Sequence, residues 1–278
     1  MLPWKKELLT LLMLSLLFVL AGCGIRHAEE TEAAGATPAA VRETETEPAS
    51  PTPQDAGGEA EADADLMSHS DFLAAEEDSP VTVECFVQAK DAWNDGLCSL
   101  YAQDEEGAYY LPRLRCSQSE YEKLEIGRKI RVKGYKGHWN DSVEIADASF
   151  QPLDGTWIAE ARDVTAMIGT DELSLHQNEK VCFRGMTIEA MPDGASVWYY
   201  GWDNTAPAGE ETERYFRASC GGTVCDFTVK PALCPNAEEV LQTLQRLQVG
   251  DRVDLTGFLR FYNGALPRIT EIAPADGF

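Results

Sequence analysis

The chain contains one segment twice, and this internal repeat limits the possible folds more than any single motif does. Near the start of each copy, Val81 and Val83 match Val181 and Phe183, so equivalent residues are 100 positions apart. Later in the copies the offset is 123, so the second copy carries about 23 additional residues in its middle. The later matches pair Leu124, Ile126, Gly127, Ile130, Val132, Gly134, Tyr135, Trp139 and Asn140 with Leu247, Val249, Gly250, Val253, Leu255, Gly257, Phe258, Tyr262 and Asn263.

The first copy has the pattern of three strands, a short helix and two more strands. Residues 81–87 alternate between apolar and polar side chains, as a half-buried strand does, and a turn signal follows at residues 93–96. Ser117 and Ser119 are candidate N-caps of the helix, and Gly127 is its stop signal. Strands are predicted at residues 81–87, 97–103, 108–114, 129–135 and 142–150, and the helix at residues 117–125.

The second copy repeats this order around its insertion. Ser70 in the first copy and Thr170 in the second are predicted to cap a short lead-in helix. The remaining elements of the second copy are predicted as strand one at residues 180–190, a turn at 192–194, strand two at 197–202, a loop at 203–213, a hairpin at 214–220 and 223–229, and a helix at 237–248.

This order, with the run G-x-x-[I/V]-x-[V/L]-x-G-[Y/F] after the helix, resembles the OB-fold, a five-stranded barrel with a helix between strands three and four. The resemblance covers residues 68–154 and 163–272. It implies a mainly β chain with two tandem OB-fold-like barrels, each with a short helix between strands three and four, in domains at residues 67–155 and 156–278. Two short β-sandwiches would also fit the pattern.

The first residues have the pattern of an export signal. Lys5 and Lys6 precede an apolar run at residues 8–21, which is too short to span a bilayer comfortably. The segment Leu20-Ala21-Gly22-Cys23 resembles the lipobox of bacterial lipoprotein precursors. That resemblance implies a signal peptide at residues 1–22 and lipidation of Cys23, which would anchor the protein to the extracytoplasmic face of the cell membrane. An ordinary signal peptide or an uncleaved signal anchor is the alternative.

Residues 23–66 are predicted to be a disordered acidic tether. From residue 24 to residue 71 the sequence has 12 acidic and two basic residues, and large apolar residues are rare up to residue 65. Such a segment cannot bury enough apolar surface to offset the entropy lost on ordering. Taken whole, the chain resembles the uncharacterised tandem OB-fold lipoproteins of Gram-positive bacteria.

Aromatic residues beside asparagines indicate where a ligand would bind. OB-folds bind ligands on the face of strands two and three, between the loop after strand one and the loop after strand four. Aromatic rings with neighbouring amides suit sugars, and they also suit nucleobases and peptide side chains. Such rings would equally serve as plugs at the open end of a barrel. The candidate ligand-binding residues are Trp93, Asn94, Trp139, Asn140, Trp202, Tyr262 and Asn263, of which Trp93 and Trp139 are expected to flank one groove.

Charge argues against general nucleic-acid binding. The formal net charge of the chain is −24, and affinity for nucleic acid depends mainly on neutralising phosphates. A basic stripe at residues 128–136 is the exception, and its alternation predicts the outer face of a strand, balanced by Glu144 and Asp147. Nucleic acid is therefore an unexpected partner.

The sequence contains no pattern of a catalytic or metal site. His138 and His176 are isolated, and no nucleophile triad, phosphate-binding glycine loop or metal-ligand spacing is present. Seven cysteines follow Cys23, so at least one lacks an intramolecular partner. A turn at Gly221 and Gly222 would place Cys220 and Cys225 diagonally, too far apart for an unstrained disulfide, so burial as small apolar residues is expected.

These observations favour a non-catalytic, lipid-anchored envelope protein without a cofactor or metal. Its two OB-fold-like modules are expected to bind an extracellular glycan or a protein partner. The alternatives are an OB-fold that binds or cleaves nucleic acid, and a purely structural envelope component. Fold alone does not decide between them.

Overall fold

A computed structural model of the chain describes residues 65–275. The predicted signal peptide at residues 1–22, the lipidation at Cys23 and the tether up to residue 64 lie outside the described residues. Among residues 65–275, no helix is long and apolar enough to span a bilayer.

The first copy forms a five-stranded antiparallel sheet that curls into a barrel, called barrel 1 below. Its strand order is β3-β2-β1-β4-β5, and β3 lies against β5. This is the strand order of the OB-fold. The elements are α1 (His69–Ala74), β1 (Pro80–Lys90), β2 (Leu97–Gln103), β3 (Ala108–Arg115), α2 (Gln118–Lys123), β4 (Arg128–Trp139) and β5 (Ser142–Thr156).

The second copy forms barrel 2, in which hydrogen-bonded pairing closes the ring. The sheet order is β6-β7-β11-β12-β10-β9-β8, and β9 also pairs with β7, so that β7, β9, β10, β12 and β11 close on themselves. The elements are β6 (Arg162–Asp163), β7 (Lys180–Glu189), β8 (Trp198–Tyr200), β9 (Arg214–Cys220), β10 (Thr223–Val229), α3 (Ala237–Arg246), β11 (Arg252–Phe258) and β12 (Arg268–Pro274), with 3₁₀ turns at Thr165–Met167, Asp171–His176 and Pro231–Leu233.

The predicted mainly β fold with two OB barrels, each with a helix between its third and fourth strands, is confirmed. The repeat is also visible in the strand pairing. Val83 lies opposite Val132 in barrel 1, and the equivalent Phe183 lies opposite Leu255 in barrel 2. Each barrel has its own core, which contains Phe72 and Tyr109 in barrel 1 and a set of phenylalanines in barrel 2: Phe183, Phe216 and Phe227.

The second glycine of the repeated run is explained by close strand packing. A Cβ at Gly134 would lie 2.7 Å from the Ala146 carbonyl oxygen of β5. A Cβ at the equivalent Gly257 would overlap the Arg268 carbonyl oxygen of β12. The register shifts at both glycines, so only a residue without a side chain allows the fifth strand to approach.

The lead-in helices differ from the prediction. Ser68, and not Ser70, is the N-cap of α1, and it forms a capping box with Asp71. In the second copy a 3₁₀ turn replaces the helix, and Thr170 makes no side-chain capping bond. The predicted cap at Thr170 is therefore wrong, although the helix α2 does start after Ser117, one of its two predicted caps.

The prediction for the second strand of barrel 2 is also wrong. The strand that pairs with β7 is β9, whereas the predicted strand at residues 197–202 is only β8, a short addition at the outer edge of β9. The additional residues of the second copy therefore lie in the connection from β7 to β9. The aromatic alternation that suggested a barrel strand belongs to this insertion.

The basic stripe has a different counter-charge from the one predicted. Lys129 and Arg131 both lie 2.6 Å from Glu84 on β1, and not against Glu144 or Asp147. At the equivalent place in barrel 2 the signs are reversed, since Arg184 on β7 lies 2.8 Å from Asp254 on β11. The ion pairs of Lys129 and Arg131 are therefore on the opposite side of β4 from the predicted one. The prediction of an outer face is wrong for Lys136, which is buried and donates to the Leu73 and Ala75 carbonyls.

Candidate binding groove

The two barrels are joined by a small apolar cluster. Ala89 and Tyr101 of barrel 1 pack against Leu233 and Phe258 of barrel 2, and all four are at most 6 % exposed. The rings of Tyr101 and Phe258 stack with their centroids 4.7 Å apart. Lys230 adds an ion pair with Asp91 at the edge of this cluster. This junction holds the two barrels against each other.

The equivalent loops after the fourth strands lie against each other. Trp139 of barrel 1 and Tyr262 of barrel 2 pack with ring centroids 5.1 Å apart. The Gly264 amide donates to Asp141 Oδ2 at 2.8 Å, and Gln177 donates to the Asp141 carbonyl at 2.9 Å. These two loops of candidate ligand-binding residues therefore form one aromatic ledge, made of Trp139 and Tyr262.

Barrel 1 differs from barrel 2 at the seam between its third and fifth strands. In barrel 2, β10 and β12 are paired at Thr228 and Arg268. Within the described residues of barrel 1, no ladder joins β3 to β5. Pro112 lies in β3 and has no amide hydrogen to donate, which suits an unpaired edge. The following Arg113 has φ 51°, so the strand bulges there.

The facing strand β5 also bulges. Asp147 has φ 48°, and the pairing of β5 with β4 shifts register between Lys133 and Tyr135. Non-glycine residues adopt such a left-handed conformation at a cost of roughly 1–2 kcal/mol each. The two bulges lie on the strands that face each other across the seam, and aspartate adopts this conformation more readily than arginine does. Bulges and strained backbone of this kind are often found at binding sites.

A groove of about 700 Å³ runs along this seam. Its volume is within the range of small-ligand sites, roughly 300–1,000 Å³. One wall comes from β3, the other from β5, and the aromatic ledge closes one end. The lining residues are Leu97, Tyr110, Pro112, Arg113, Arg115, Trp139, Glu144, Ala146, Asp147, Ala148, Ser149 and Arg260.

Arg260 reaches this groove from barrel 2. It is 5 % exposed, donates from Nη1 to the Ser142 hydroxyl, and its guanidinium carbon lies 4.2 Å from the centre of the Tyr110 ring. Ser142 is completely buried. The position of this charge therefore depends on the packing of the two barrels.

The groove carries both signs of charge. Arg113, Arg115 and Arg260 contribute positive charges, and Glu144 and Asp147 contribute carboxyl groups. Burial raises the pKa of Glu144, although Arg260 and His138 act in the opposite direction. The groove is thus less acidic than the surface of a chain with a net charge of −24.

Four of the predicted site residues lie at the ledge. Trp139 lines the groove with 54 % of its surface exposed, and Tyr262 supports it with 43 % exposed. Asn140 and Asn263 hold equivalent turn positions with φ 51° and 53°. Asparagine tolerates this conformation better than most residues, so both amides have a structural reason to be there.

The other three predicted residues lie outside the groove. The Trp93 indole donates to the Cys116 carbonyl at 2.9 Å and packs on the core of barrel 1, so the two tryptophans do not flank one groove. Asn94 forms the turn before β2 through its bond to Leu97. Trp202 lies in the insertion of barrel 2 and is 69 % exposed, and its ring centroid lies 5.9 Å from that of Tyr215.

Sequence reasoning missed the arginines and Tyr110. Their strands were predicted, but the joining of the two barrels was not. One signal was present: a proline inside a strand pattern indicates an edge or a bulge, and Pro112 is such a proline. As for metals, residues 65–275 contain no group of three or more His, Cys, Asp or Glu side chains arranged to hold an ion.

Comparisons with known proteins add similarities of low strength. No protein-family model matches the chain, and no curated protein sequence matches it significantly. The OB domain of a Methanosarcina mazei protein is similar over 33 % of this chain and 86 % of its own, with 17 % identity and a TM-score of 0.27. A murine DNA-binding protein bound to double-stranded DNA aligns over 72 % of this chain and 98 % of its own, with 10 % identity and a TM-score of 0.32.

A replication protein A heterotrimer bound to single-stranded DNA is similar over 76 % of this chain and 69 % of its own, with 9 % identity and a TM-score of 0.26. Identities and TM-scores this low say nothing about ligands. The OB-fold assignment rests on the strand order and the barrel closure described above.

Proposed function

We propose that the protein is a lipid-anchored, extracytoplasmic binding protein whose seam groove holds an extracellular glycan, and that it is not an enzyme. The observation that carries this proposal is the exposed face of Trp139 at the end of a groove whose lining includes arginines and carboxyl groups. A sugar ring stacks its CH groups on an aromatic face while its hydroxyls bond to neighbouring polar groups. Arginines and carboxylates along the groove supply such donors and acceptors.

The support of Trp139 by Tyr262 favours this use. Holding an indole in place before binding lowers the entropy lost when a ligand binds. Aromatic side chains held in this way are common among the residues that dominate binding energy. The acidic surface of the chain weighs against a long nucleic acid as the ligand.

A glycan array probed with the full chain in detergent micelles tests the binding proposal. We expect Trp139→Ala to weaken glycan binding by roughly tenfold or more. Trp202→Ala is the matched control, because this tryptophan is also exposed but lies outside the groove. Failure of every glycan to bind, or equal binding by the wild type and Trp139→Ala, would overturn the proposal. Binding of a protein in place of glycans would favour the protein-partner alternative.

The lipid anchor rests on the lipobox resemblance around Cys23. Metabolic labelling with an alkyne fatty acid in an exporting bacterium is expected to label the wild type and not Cys23→Ser. Cys220→Ser is the control and should keep the label, since this cysteine lies far along the chain from the lipobox. An unlabelled wild type that keeps Met1 in a soluble fraction would contradict the anchor.

A further inference from the structure

Three arginines line the seam groove, and none of them forms an ion pair with the carboxyl groups there. Among residues 65–275, six arginines form ion pairs and six do not. Of the six without an ion pair, Arg113, Arg115 and Arg260 line the groove. Two of them stand on β3 and the third comes from barrel 2. What distinguishes this groove is that three of these guanidinium groups lie together in a chain with net charge −24.

We propose that the groove selects glycans that carry a carboxylate, such as uronic acids, and that Arg260 makes the selection depend on both barrels. This inference rests on the proposed function and names the class of glycan. A guanidinium presents several donors in one plane and matches the two oxygens of a carboxylate. The Trp139 ring then stacks on the sugar that bears it.

Arg260 is suited to act as a fixed positive charge. Its stacking on Tyr110 and its bond to Ser142 restrict the side chain before any ligand arrives. Burial of the residue to 5 % exposure reduces screening by water. Arg113 and Arg115 are exposed on β3 and can close over the ligand from the solvent side.

The carboxyl groups of the groove limit the ligand to a short anion. With Glu144 ionised, three arginines face two carboxylates, and with Glu144 protonated they face one. Because the pKa of Glu144 is raised, its carboxyl group is protonated at a higher pH than that of an ordinary glutamate. The raised pKa therefore favours the state in which the arginines face one carboxylate. The carboxylate of Asp147 in the same lining disfavours a nucleic-acid strand, whose affinity depends mainly on neutralising its phosphates.

Calorimetry on the full chain in micelles tests the inference. The probes are a uronic-acid oligosaccharide, the same oligosaccharide with its carboxylates reduced to alcohols, and an oligothymidylate. We expect the acidic oligosaccharide to bind, and Arg113→Gln and Arg115→Gln each to weaken it by roughly tenfold. Arg246→Gln, on the exposed face of α3, is the matched control and should leave affinity unchanged.

The outcomes separate this inference from the proposed function. Equal binding of the acidic and reduced oligosaccharides would overturn the carboxylate selection and leave glycan binding intact. Failure of both, with a silent glycan array, would overturn both proposals. Binding of the oligothymidylate alone, weakened by Arg113→Gln, would replace the glycan with nucleic acid. A folded Arg260→Gln variant with unchanged affinity would remove the role of barrel 2.

An independent observation concerns a pair of buried cysteines. The sulfur atoms of Cys98, in β2, and Cys116, just after β3, are 3.8 Å apart, and the two residues are 4 % and 5 % exposed. The Trp93 indole covers this place by bonding to the Cys116 carbonyl. Two adjacent thiols can form a bond with a small change of side-chain rotamer when the backbone separation permits it.

We infer that Cys98 and Cys116 form a disulfide when the protein folds in contact with an oxidant that carries a disulfide. The two thiols lose two protons and two electrons, one S–S bond forms, and the oxidant's disulfide becomes two thiols. Burial, with Cys116 nearby, raises the pKa of Cys98 to about 12, so the folded thiol reacts slowly. The exchange is therefore expected during folding, before Trp93 covers the pair.

Mass spectrometry after refolding the full chain with oxidised glutathione tests this bond. We expect one link between the Cys98 and Cys116 peptides, a loss of two hydrogens and protection of these two thiols from alkylation under denaturing conditions. Cys220→Ser, at a partly exposed site of barrel 2, should keep the link, and Cys98→Ser should lose it. Alkylation of both thiols in the wild type, or a link to a different cysteine, would overturn the inference.

Discussion

Barrel 1 and barrel 2 have the same strand order, but they differ where the third and fifth strands meet. In barrel 2, Thr228 pairs with Arg268 and the ring is closed. In barrel 1, Pro112 and the two bulged residues Arg113 and Asp147 leave a groove in the same place. One copy is therefore a complete barrel that supplies Arg260 and Tyr262, and the other holds the groove that these residues complete.

The outer faces show a second difference. Glu84 of barrel 1 pairs with Lys129 and Arg131, while the equivalent place in barrel 2 holds Arg184 and Asp254 with the signs exchanged. Cross-strand pairing requires opposite charges and not a particular order of them. What the copies share is therefore backbone pairing and close packing, and these shared features should respond alike to mutation.

The largest effect is expected at the junction between the barrels. Phe258→Ala removes the ring stacked on Tyr101 and should lower the free energy of unfolding by about 3–5 kcal/mol. It should also separate the unfolding of the two barrels. Urea denaturation followed by fluorescence and far-UV circular dichroism measures both effects. Coincident transitions with an unchanged midpoint would mean that the barrels do not depend on this contact.

The repeated glycines test whether the copies pack alike. Gly257→Ala and Gly134→Ala should each destabilise the fold, by about 1–3 kcal/mol, because the new methyl group meets the fifth strand. The effect at Gly257 should be the larger, since its Cβ would overlap a carbonyl oxygen. Thermal unfolding provides the measurement, with Gly194→Ala as a control that has free space but a positive φ. Equal stability of wild type and Gly257→Ala would contradict the packing.

The seam of barrel 1 should become more stable when its strain is removed. Arg113→Gly relieves a left-handed residue and is expected to raise the free energy of unfolding by about 0.5–1 kcal/mol, after the greater backbone entropy of glycine is subtracted. The same change should weaken binding of an acidic glycan. A destabilised Arg113→Gly variant would show that the bulge is not strained.

An effect about as small is expected from the reversed ion pairs. Burial opposes ionisation of Glu84, but hydrogen bonds from Lys129 and Arg131 outweigh it and lower its pKa. The pair therefore contributes stability above the unfolded-state pKa of about 4.3, and this contribution is lost as pH falls through the lower folded-state pKa. Glu84→Gln should remove roughly 1 kcal/mol at neutral pH and flatten the acid limb of the stability curve.

Asp254→Asn is the counterpart in barrel 2. The pKa of Asp254 is lowered as well, since bonds from Gly185 and Arg184 outweigh its burial. We therefore expect the free energy of unfolding to rise less steeply from acid to neutral pH in both variants than in the wild type. Opposite slopes would show that reversing the charges also reversed their contribution.

The sequence predicted the limits of several strands correctly, but it did not predict how the two barrels pack against each other. Strand β2 and the hairpin of β9 and β10 have the predicted limits, because alternation and turn residues act over short distances. The equivalence of Val83 and Phe183 followed from the repeat alone. By contrast, the sequence predicts a barrel strand where β8 lies, because the alternating aromatics of β8 satisfy the same pattern as a core strand.

The site was predicted only in part for a related reason. Trp139 and Tyr262 were recognised as equivalent, but their contact depends on how the barrels pack, which no local pattern encodes. Arg260 reaches the groove for the same reason. Trp93 has the local context of a ligand contact. Its indole instead donates a hydrogen bond to the Cys116 carbonyl, since its loop folds back on the core.

Pro112 has a consequence for the behaviour of the protein in solution. Within the described residues no ladder joins β3 to β5, and a strand edge without a ladder can recruit a strand from another chain and begin aggregation. The proline lacks the donor that an incoming strand requires, and Arg113 and Arg115 add charge beside it. The residue that opens the seam to a ligand therefore also protects it from self-association.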